Sequence, residues 1–370
     1  MRKCFILVLA LFFNLSLFGQ TGPIAPTALP FLGITPDAVS GALGETGVAS
    51  EPDVFSMYWN VGKLSYLPGS YGIGFSYVPW LAAIKSGIST SNVSGYRTLN
   101  QSSTLGISLS YFSIGKVGLS DEVGNSLGTY SPNEFALSVA YSRRLSENGS
   151  LGMTAKYLHS DLTSGTASLS AASGFAVDIG YYSSNELSTE NTFSYGISIN
   201  NIGPKISGPI AGTNQYLPTT LRIGTAFHLQ EYLNSLNITL ETSKLLVPTL
   251  PIYKKDAHGN NTTQILSGRD PNESVPSAII SSFYDAPGGF KEQIKQFILG
   301  AGLEYSFRDK LYLRAGYHYK NPYLGDRRYF TAGFGFKLDT FYSDFSYLIP
   351  TTPLSPYKDT FRLNLGFIIP

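Results

Sequence analysis

From residue 71 to the end of the chain the dominant period of apolar and polar positions is two. Tyr71, Ile73, Phe75 and Tyr77 alternate with Gly72, Gly74 and Ser76, and Leu105, Ile107, Leu109 and Tyr111 alternate with Gly106, Ser108 and Ser110. One apolar face and one small or polar face is the signature of a β-strand. The pattern recurs at 134–143, 150–158, 174–183, 192–200, 218–229, 235–243, 297–307, 311–320, 329–338, 341–349 and 361–369, giving thirteen strands. Nearly all approach the roughly 9–11 residues of a tilted transmembrane strand.

The spacing between strands carries a second period. After 104–112 the connections run long (113–133), short (144–149), long (159–173), short (184–191), long (201–217), short (230–234) and very long (244–296), and continue in alternation to 350–360. Outer-membrane barrels have short periplasmic turns and long extracellular loops. Extending the alternation backwards requires a short turn at Thr98 to Ser103 and a fourteenth, weaker strand at 87–97. An even count of about 14 antiparallel strands with both termini on the periplasmic side is the expectation.

Period two alone does not separate a barrel from a soluble sandwich; composition does. Only 14% of the 370 residues are charged, and 14% are aromatic, with 25 Tyr and 23 Phe but 2 Trp. An ordinary soluble domain carries roughly a quarter charged residues. Within strands the charges Lys156, Asp178, Arg222, Glu241, Glu304, Arg314, Asp344 and Arg362 all fall on the face opposite the aliphatic and aromatic residues, a face otherwise made of Gly, Ser, Thr and Ala. That face suits a filled or narrow lumen, and the opposite face suits lipid. Aromatics gather at strand ends, as at Tyr77 and Trp80, Tyr181 and Tyr182, and Tyr317 and Tyr319, as in interfacial girdles. Basic and acidic residues nearly cancel, at 26 against 25. No field is left to hold a nucleic acid.

The N-terminus adds an address. Arg2 and Lys3 precede an apolar run from Cys4 to Phe18, followed by Gly19-Gln20-Thr21. This reads as a signal peptide over 1–20, too short for a spanning helix, that directs the chain to the outer membrane. Residues 21–69 lack the strand period, and 33–64 are rich in Gly and Ala; the expectation is a plug or hatch segment, with residues 70–370 forming the barrel.

The loop 244–296 is long enough to be functional. It holds five prolines and is too apolar for free disorder. Phe290, Ile294 and Phe297 have the spacing of a short amphipathic helix after Gly288-Gly289. The loop either packs over the lumen or offers an apolar surface to a partner. Signatures of enzymes are absent: there is no phosphate-binding Gly-rich loop with Lys-Ser/Thr, no His-Glu-x-x-His and no Gly-x-Ser-x-Gly. His159, His228, His258 and His318 are scattered, although His228 and His318 share the luminal phase. No catalytic residue, metal site or cofactor is expected.

Gly41-Ala-Leu-Gly-Glu-Thr-Gly-Val-Ala49, then Asp53 and Tyr58-Trp59-Asn60, resemble the hatch of FadL-type outer-membrane proteins, with Asn60-Val61-Gly62 where that family usually has Asn-Pro-Ala. The plug motif on this resemblance is Gly41, Gly44, Gly47, Asp53, Trp59 and Asn60. Ser76-Tyr-Val-Pro-Trp80, Tyr111-Phe-Ser-Ile-Gly115, Ser131-Pro-Asn-Glu-Phe135, Leu245-Leu-Val-Pro-Thr249, Asp285-Ala-Pro-Gly-Gly-Phe-Lys-Glu292 and Asp344-Phe-Ser-Tyr-Leu348, taken in order, resemble the PorV (LptO) family of the type IX secretion system. The resemblance implies a FadL-like barrel that binds the C-terminal domains of secreted cargo at a large translocon barrel of the SprA or Sov type. It would then pass cargo to a PorU-type sortase complex for attachment to surface lipopolysaccharide. It also favours a partner for the long loop, with Leu246, Val247, Pro248, Pro251, Ile252, Ile280, Phe283, Asp285, Pro287 and Phe290 as candidate contacts. The competing expectation is a FadL-like channel for hydrophobic small molecules.

Overall fold

The computed structural model describes residues 27–369 apart from 121–122, 163–170, 208–213 and 354; the expected signal peptide lies outside the described residues. Fourteen antiparallel strands close into one barrel. In chain order they are β1 (Tyr71–Pro79), β2 (Ser89–Asn100), β3 (Ser103–Ser113), β4 (Asn133–Arg144), β5 (Gly149–Asp161), β6 (Ala172–Glu186), β7 (Asn191–Ile202), β8 (Thr220–Glu231), β9 (Asn234–Leu245), β10 (Ile298–Phe307), β11 (Leu311–Tyr319), β12 (Arg328–Leu338), β13 (Phe341–Pro350) and β14 (Phe361–Ile369). Each pairs with its neighbours in sequence, and Tyr71 of β1 pairs with Ile369 of β14 to close the ring. Closure removes every sheet edge, so all strand backbone groups are satisfied within the wall, which is what a hydrocarbon environment demands.

The weak strand inferred from connection lengths is β2. Its turn lies within the expected stretch but is shorter, at 101–102, because Thr98 and Asn100 continue the ladder opposite Thr104 and Ser103. Three further pairs of short strands stand outside the barrel: Val117–Ser120 with Ser126–Tyr130, Ile206–Ser207 with Asn214–Gln215, and Ile252–Lys255 with Asn261–Ser267. All three sit in the long connections, at the end assigned as extracellular.

The two faces differ as the alternation requires. Ile73, Leu303, Leu313, Phe334 and Phe367 project outward. Thr90, Asn92, Ser94, Ser138, Asp178, Glu241 and Asp344 are buried inside. Outward rings pack at both ends of the wall: Tyr317 against Phe330 (4.8 Å between centroids) towards the extracellular rim, and Phe193 against Phe227 (4.7 Å) and Phe341 against Phe367 (5.2 Å) towards the periplasmic one.

The strand ends of the barrel meet on the periplasmic side, but the described N-terminus does not. Thr27 bridges Tyr216 in the extracellular connection after β7, and Ala28 donates its N–H to the Tyr216 carbonyl (2.8 Å). Residues 28–70 then descend through the barrel, and Ser70 reaches the periplasmic end, where its N–H bonds the Ile369 carbonyl (2.9 Å).

Candidate functional site: the occupied lumen and the extracellular loop

The luminal segment is held by side chains of the wall at each level. At the extracellular mouth Phe31 stacks on Phe112 (5.8 Å) and packs with Leu32, Val78, Trp80, Leu158 and Leu217 in a buried apolar cap. Below it a one-turn helix, α1 (Ala38–Ala42), is capped by Asp37, whose Oδ1 accepts from the Ser40 N–H (2.7 Å). The other oxygen of Asp37 accepts from Trp59 Nε1 (2.8 Å), tying α1 to α2 (Ser56–Trp59).

Of the six residues of the plug motif, Gly47 and Trp59 meet each other, Gly41, Gly44 and Asn60 fit against the wall, and Asp53 makes a local turn. A side chain on Gly41 would run into Arg362, and one on Gly47 into the Trp59 ring. Gly44 has φ +70°, and a Cβ there would meet the carbonyls of Tyr317 and Ala301; only glycine fits such a site without strain. Asn60 Nδ2 donates to the carbonyls of Val48 (2.9 Å) and Tyr181 (2.8 Å), while its Oδ1 accepts from the Gly62 N–H (3.0 Å). Asp53 accepts from Phe55 N (2.9 Å) and Ser56 Oγ (3.2 Å), forming the turn that precedes α2.

Charge fixes the register of this segment against the wall. Glu45 faces Arg362 (2.9 Å), Arg327 (3.3 Å) and His318 (3.7 Å), a cluster that sequence reading does not find because its partners lie far apart in the chain. Burial opposes ionisation of Glu45, but Arg327, His318 and Arg362 outweigh it and hold the carboxyl well below its ordinary range. Glu241 Oε2 accepts from the N–H groups of Gly47 (2.7 Å) and Val48 (2.9 Å), and Lys63 Nζ donates to the Gly47 carbonyl (2.8 Å). Nearer the periplasm Glu51 contacts His228 (2.9 Å), and Arg314 bridges Glu304 and Asp344 (2.5 and 2.7 Å). His228 and His318 thus serve separate clusters, and no metal-binding group of His, Cys, Asp and Glu exists among the described residues. The buried pairs of Glu45 and Arg314 contribute little net stability but penalise any other register, whereas Glu51 is exposed.

Two small interior cavities have mixed linings. One cavity of about 150 Å³ lies among Glu51, Asp53, His228, Glu304, Arg314 and Asp344; another of about 30 Å³ is lined by Asn92, Ser94, Ser110, Lys156, Asn200 and Arg222.

The long loop between β9 and β10 has more regular structure than the one short helix expected from the sequence. After its hairpin (Ile252–Lys255 and Asn261–Ser267) come α3 (Val275–Ser281) and α4 (Phe290–Lys295). Its base is closed by Asp285, which accepts from the N–H (2.6 Å) and hydroxyl (3.0 Å) of Thr249. Of the ten candidate contact residues, Leu246, Val247, Pro248, Pro251 and Asp285 are buried inside the loop and Pro287 is half-buried, so they are its scaffold. Ile252, Ile280, Phe283 and Phe290 are exposed. The short helix predicted from Phe290 and Ile294 is present, with its apolar side outward. Gln293 donates to the Ser282 carbonyl and accepts from Ala286 N (3.2 Å), and Glu292 accepts from Gly288 N (2.5 Å), so the polar side is the one with partners inside.

These features define a class: a fourteen-stranded, FadL-like outer-membrane barrel whose interior is occupied by its own N-terminal residues. The toluene transporter TodX of Pseudomonas putida shares the fold, with a TM-score of 0.50, 11% identity, and 90% of this chain and 97% of that chain covered. A FadL homologue of Pseudomonas aeruginosa covers 94% and 99% respectively, at 10% identity and a TM-score of 0.44. Likeness at such identities concerns the fold alone. No curated protein matches the chain.

A family model described as type IX secretion system protein PorV matches residues 20–252. The chain belongs to the PorV family and is a component of the type IX secretion system in the outer membrane.

Proposed function

We propose that this barrel acts by binding and performs no bond chemistry: it receives the C-terminal domain of secreted cargo at a translocon barrel and delivers it to the sortase complex at the cell surface. The observation that carries this reading is the state of the lumen. A site for a hydrophobic solute is mostly apolar and encloses roughly 300–1,000 Å³. The larger of the two interior cavities here is about 150 Å³, below that range, and charged groups such as Glu51, Glu304, Arg314 and Asp344 line it beside apolar residues such as Val54, Phe55 and Ile368. That supports an assignment to the extracellular face over a solute path through the wall. On that face the hairpin Ile252–Ser267 exposes Ile252 and Leu266 beyond the closed loop base, and we take it as the element offered to protein partners.

The test is to replace 252–267 by a short Gly-Ser turn. Ile252 and Ser267 are already paired across the hairpin stem, so the excision leaves the loop base closed. The variant barrel should still fold and shift on heating in gel electrophoresis, while surface-attached cargo and co-purification of the translocon barrel are lost. Normal secretion in that strain would remove the loop from the reading. Normal secretion in a full deletion strain would sink the secretory role itself.

A further inference from the structure

Lys244 is a lysine buried on the lipid side of the wall. It sits two residues beyond Thr242 in β9, opposite Leu221 of β8, and therefore shares the outer face with Leu240 and Ile223. It is nevertheless only 1% exposed. The long loop covers it: Lys244 Nζ donates to Gln296 Oε1 (2.5 Å) and lies 5.8 Å from the centroid of the Phe283 ring and 5.7 Å from that of Phe297. Phe297 is in phase with Leu299, which faces outward opposite Thr242. At this sector the loop does not stand over the lumen. It folds down over the outer rim of β9 and β10.

That placement explains the inverted helix. α4 buries Glu292 and Gln293 and presents Phe290 (79% exposed) and Ile294 (54%), with Lys291 and Lys295 alongside. Ile280 near the end of α3 and Phe283 after it are exposed too, as is Tyr284, whose ring carries the Arg269 guanidinium (4.8 Å). In water a contiguous surface of this kind marks an interaction site. Through Phe297 and Leu299 it is continuous with the lipid-facing band of the barrel. An apolar face flanked by lysines, at the top of a lipid-facing wall, is the composition of an element lying in the membrane interface.

We propose that residues 275–297 form a flap seated in the outer leaflet, with Phe290, Ile294 and Ile280 among lipid chains and Lys291 and Lys295 level with anionic headgroups. The occupant is lipid because the surface being prolonged is itself the lipid-facing band. The flap would hold the base of the loop down while the hairpin 252–267 stays free above it. This inference goes beyond the secretory reading and rests only on the barrel's place in the membrane.

The test uses the full chain in a Cys4→Ser background, which leaves no other cysteine. Phe290→Cys and Ile294→Cys are labelled with an environment-sensitive fluorophore and reconstituted into phosphatidylcholine and phosphatidylglycerol vesicles, with no secretion partner present. Leu313→Cys in the lipid band and Leu266→Cys on the hairpin are the references. Both flap sites should be quenched by a shallow nitroxide-labelled lipid and shielded from aqueous iodide, as at 313, whereas 266 should show the reverse. All four positions are exposed, so the substitutions leave the barrel's packing intact. Iodide quenching at 294 without nitroxide quenching overturns the proposal, whatever happens at 290, and returns the surface to a protein partner. Secretion is not read in this experiment, so its failure is distinguishable from failure of the proposed function.

Discussion

Arg362, fully buried on β14, places Nη2 2.9 Å from Glu45 Oε1, joining the last strand of the barrel to a residue 317 positions earlier. Arg327 faces the same carboxylate, with His318 3.7 Å away, so a single acidic side chain compensates two guanidinium groups. Glu45→Gln leaves two guanidinium groups inside the wall without a counter-charge. Removing one partner of a buried pair costs about 3–5 kcal/mol. The barrel strands do not depend on Glu45, so the cost should fall on the luminal segment. Amide hydrogen exchange of residues 38–50 should accelerate in Glu45→Gln while the barrel keeps its heat-modifiable migration. Unchanged exchange would mean that Glu45 is not the anchor.

The same cluster predicts a pH dependence. The folded-state pKa of Glu45 is depressed, so its contribution is present above the unfolded carboxylate value of about 4.3 and is lost as pH falls below it. The luminal segment should stay protected from neutral pH down to about pH 4, then open progressively on further acidification. Exchange measured across that range should show the acid limb in the native chain and a weaker one in Glu45→Gln. An opening near neutral pH in the native chain would contradict the assignment.

Asn60 gives a sharper, isosteric test. Its amide donates to two carbonyls, of Val48 and Tyr181, and its oxygen accepts from Gly62 N. Asn60→Asp keeps the acceptor but turns a carboxylate oxygen towards both carbonyls. Asn60→Ala removes the partners of the Gly62 N–H and the Val48 carbonyl, at about 1–3 kcal/mol for each buried polar group, and leaves the Tyr181 carbonyl only its place in the ladder. Both variants should loosen the segment, and Asp should be the worse at neutral pH, recovering towards Asn-like behaviour on acidification. Equal protease susceptibility of the Asp variant at neutral and acid pH would show that the two donated bonds do not matter.

The wall was legible in the sequence because lipid and lumen impose opposite demands on alternate residues. Even β2, mostly Ser, Thr and Asn, could be inferred from the rhythm of long and short connections. The interior was legible only as a run of Gly and Ala. Its path depends on pairs such as Glu45 with Arg362 and Thr46 with Thr239 (2.7 Å), and nothing local in the chain points from one to the other. An inward-phase arginine in β14 was a sign that some carboxylate must lie within, without saying which. At α4 the apolar spacing predicted a helix correctly but not its orientation. Orientation was set by where Gln293 and Glu292 find partners, and a polar side chain with buried hydrogen bonds outranks a phenylalanine that can face lipid.

Asp285 supports the final prediction. It is 1% exposed and closes the base of the long loop by accepting twice from Thr249, 36 residues earlier. Gln296 donates to the Thr249 hydroxyl (2.8 Å) and accepts from Lys244, so the same contact continues into the barrel rim. Asp285→Ala leaves the Thr249 N–H buried and unpaired, a loss of about 1–3 kcal/mol. Asp285 is the carboxylate that ties Thr249 to the far side of the loop, beside the weaker Gln296 and Ser267 contacts, so the loop's two halves should loosen. Trypsin should then cut readily at Lys254, Lys255 and Arg269 while the barrel remains folded. Asp285→Asn keeps one acceptor for the N–H and should be cut at an intermediate rate. If cargo is received on a loop of fixed shape, surface attachment should fall in the same order, from native to Asn to Ala. Full secretion by an Asp285→Ala protein whose loop is shown to be open would separate the loop's architecture from its role in delivery.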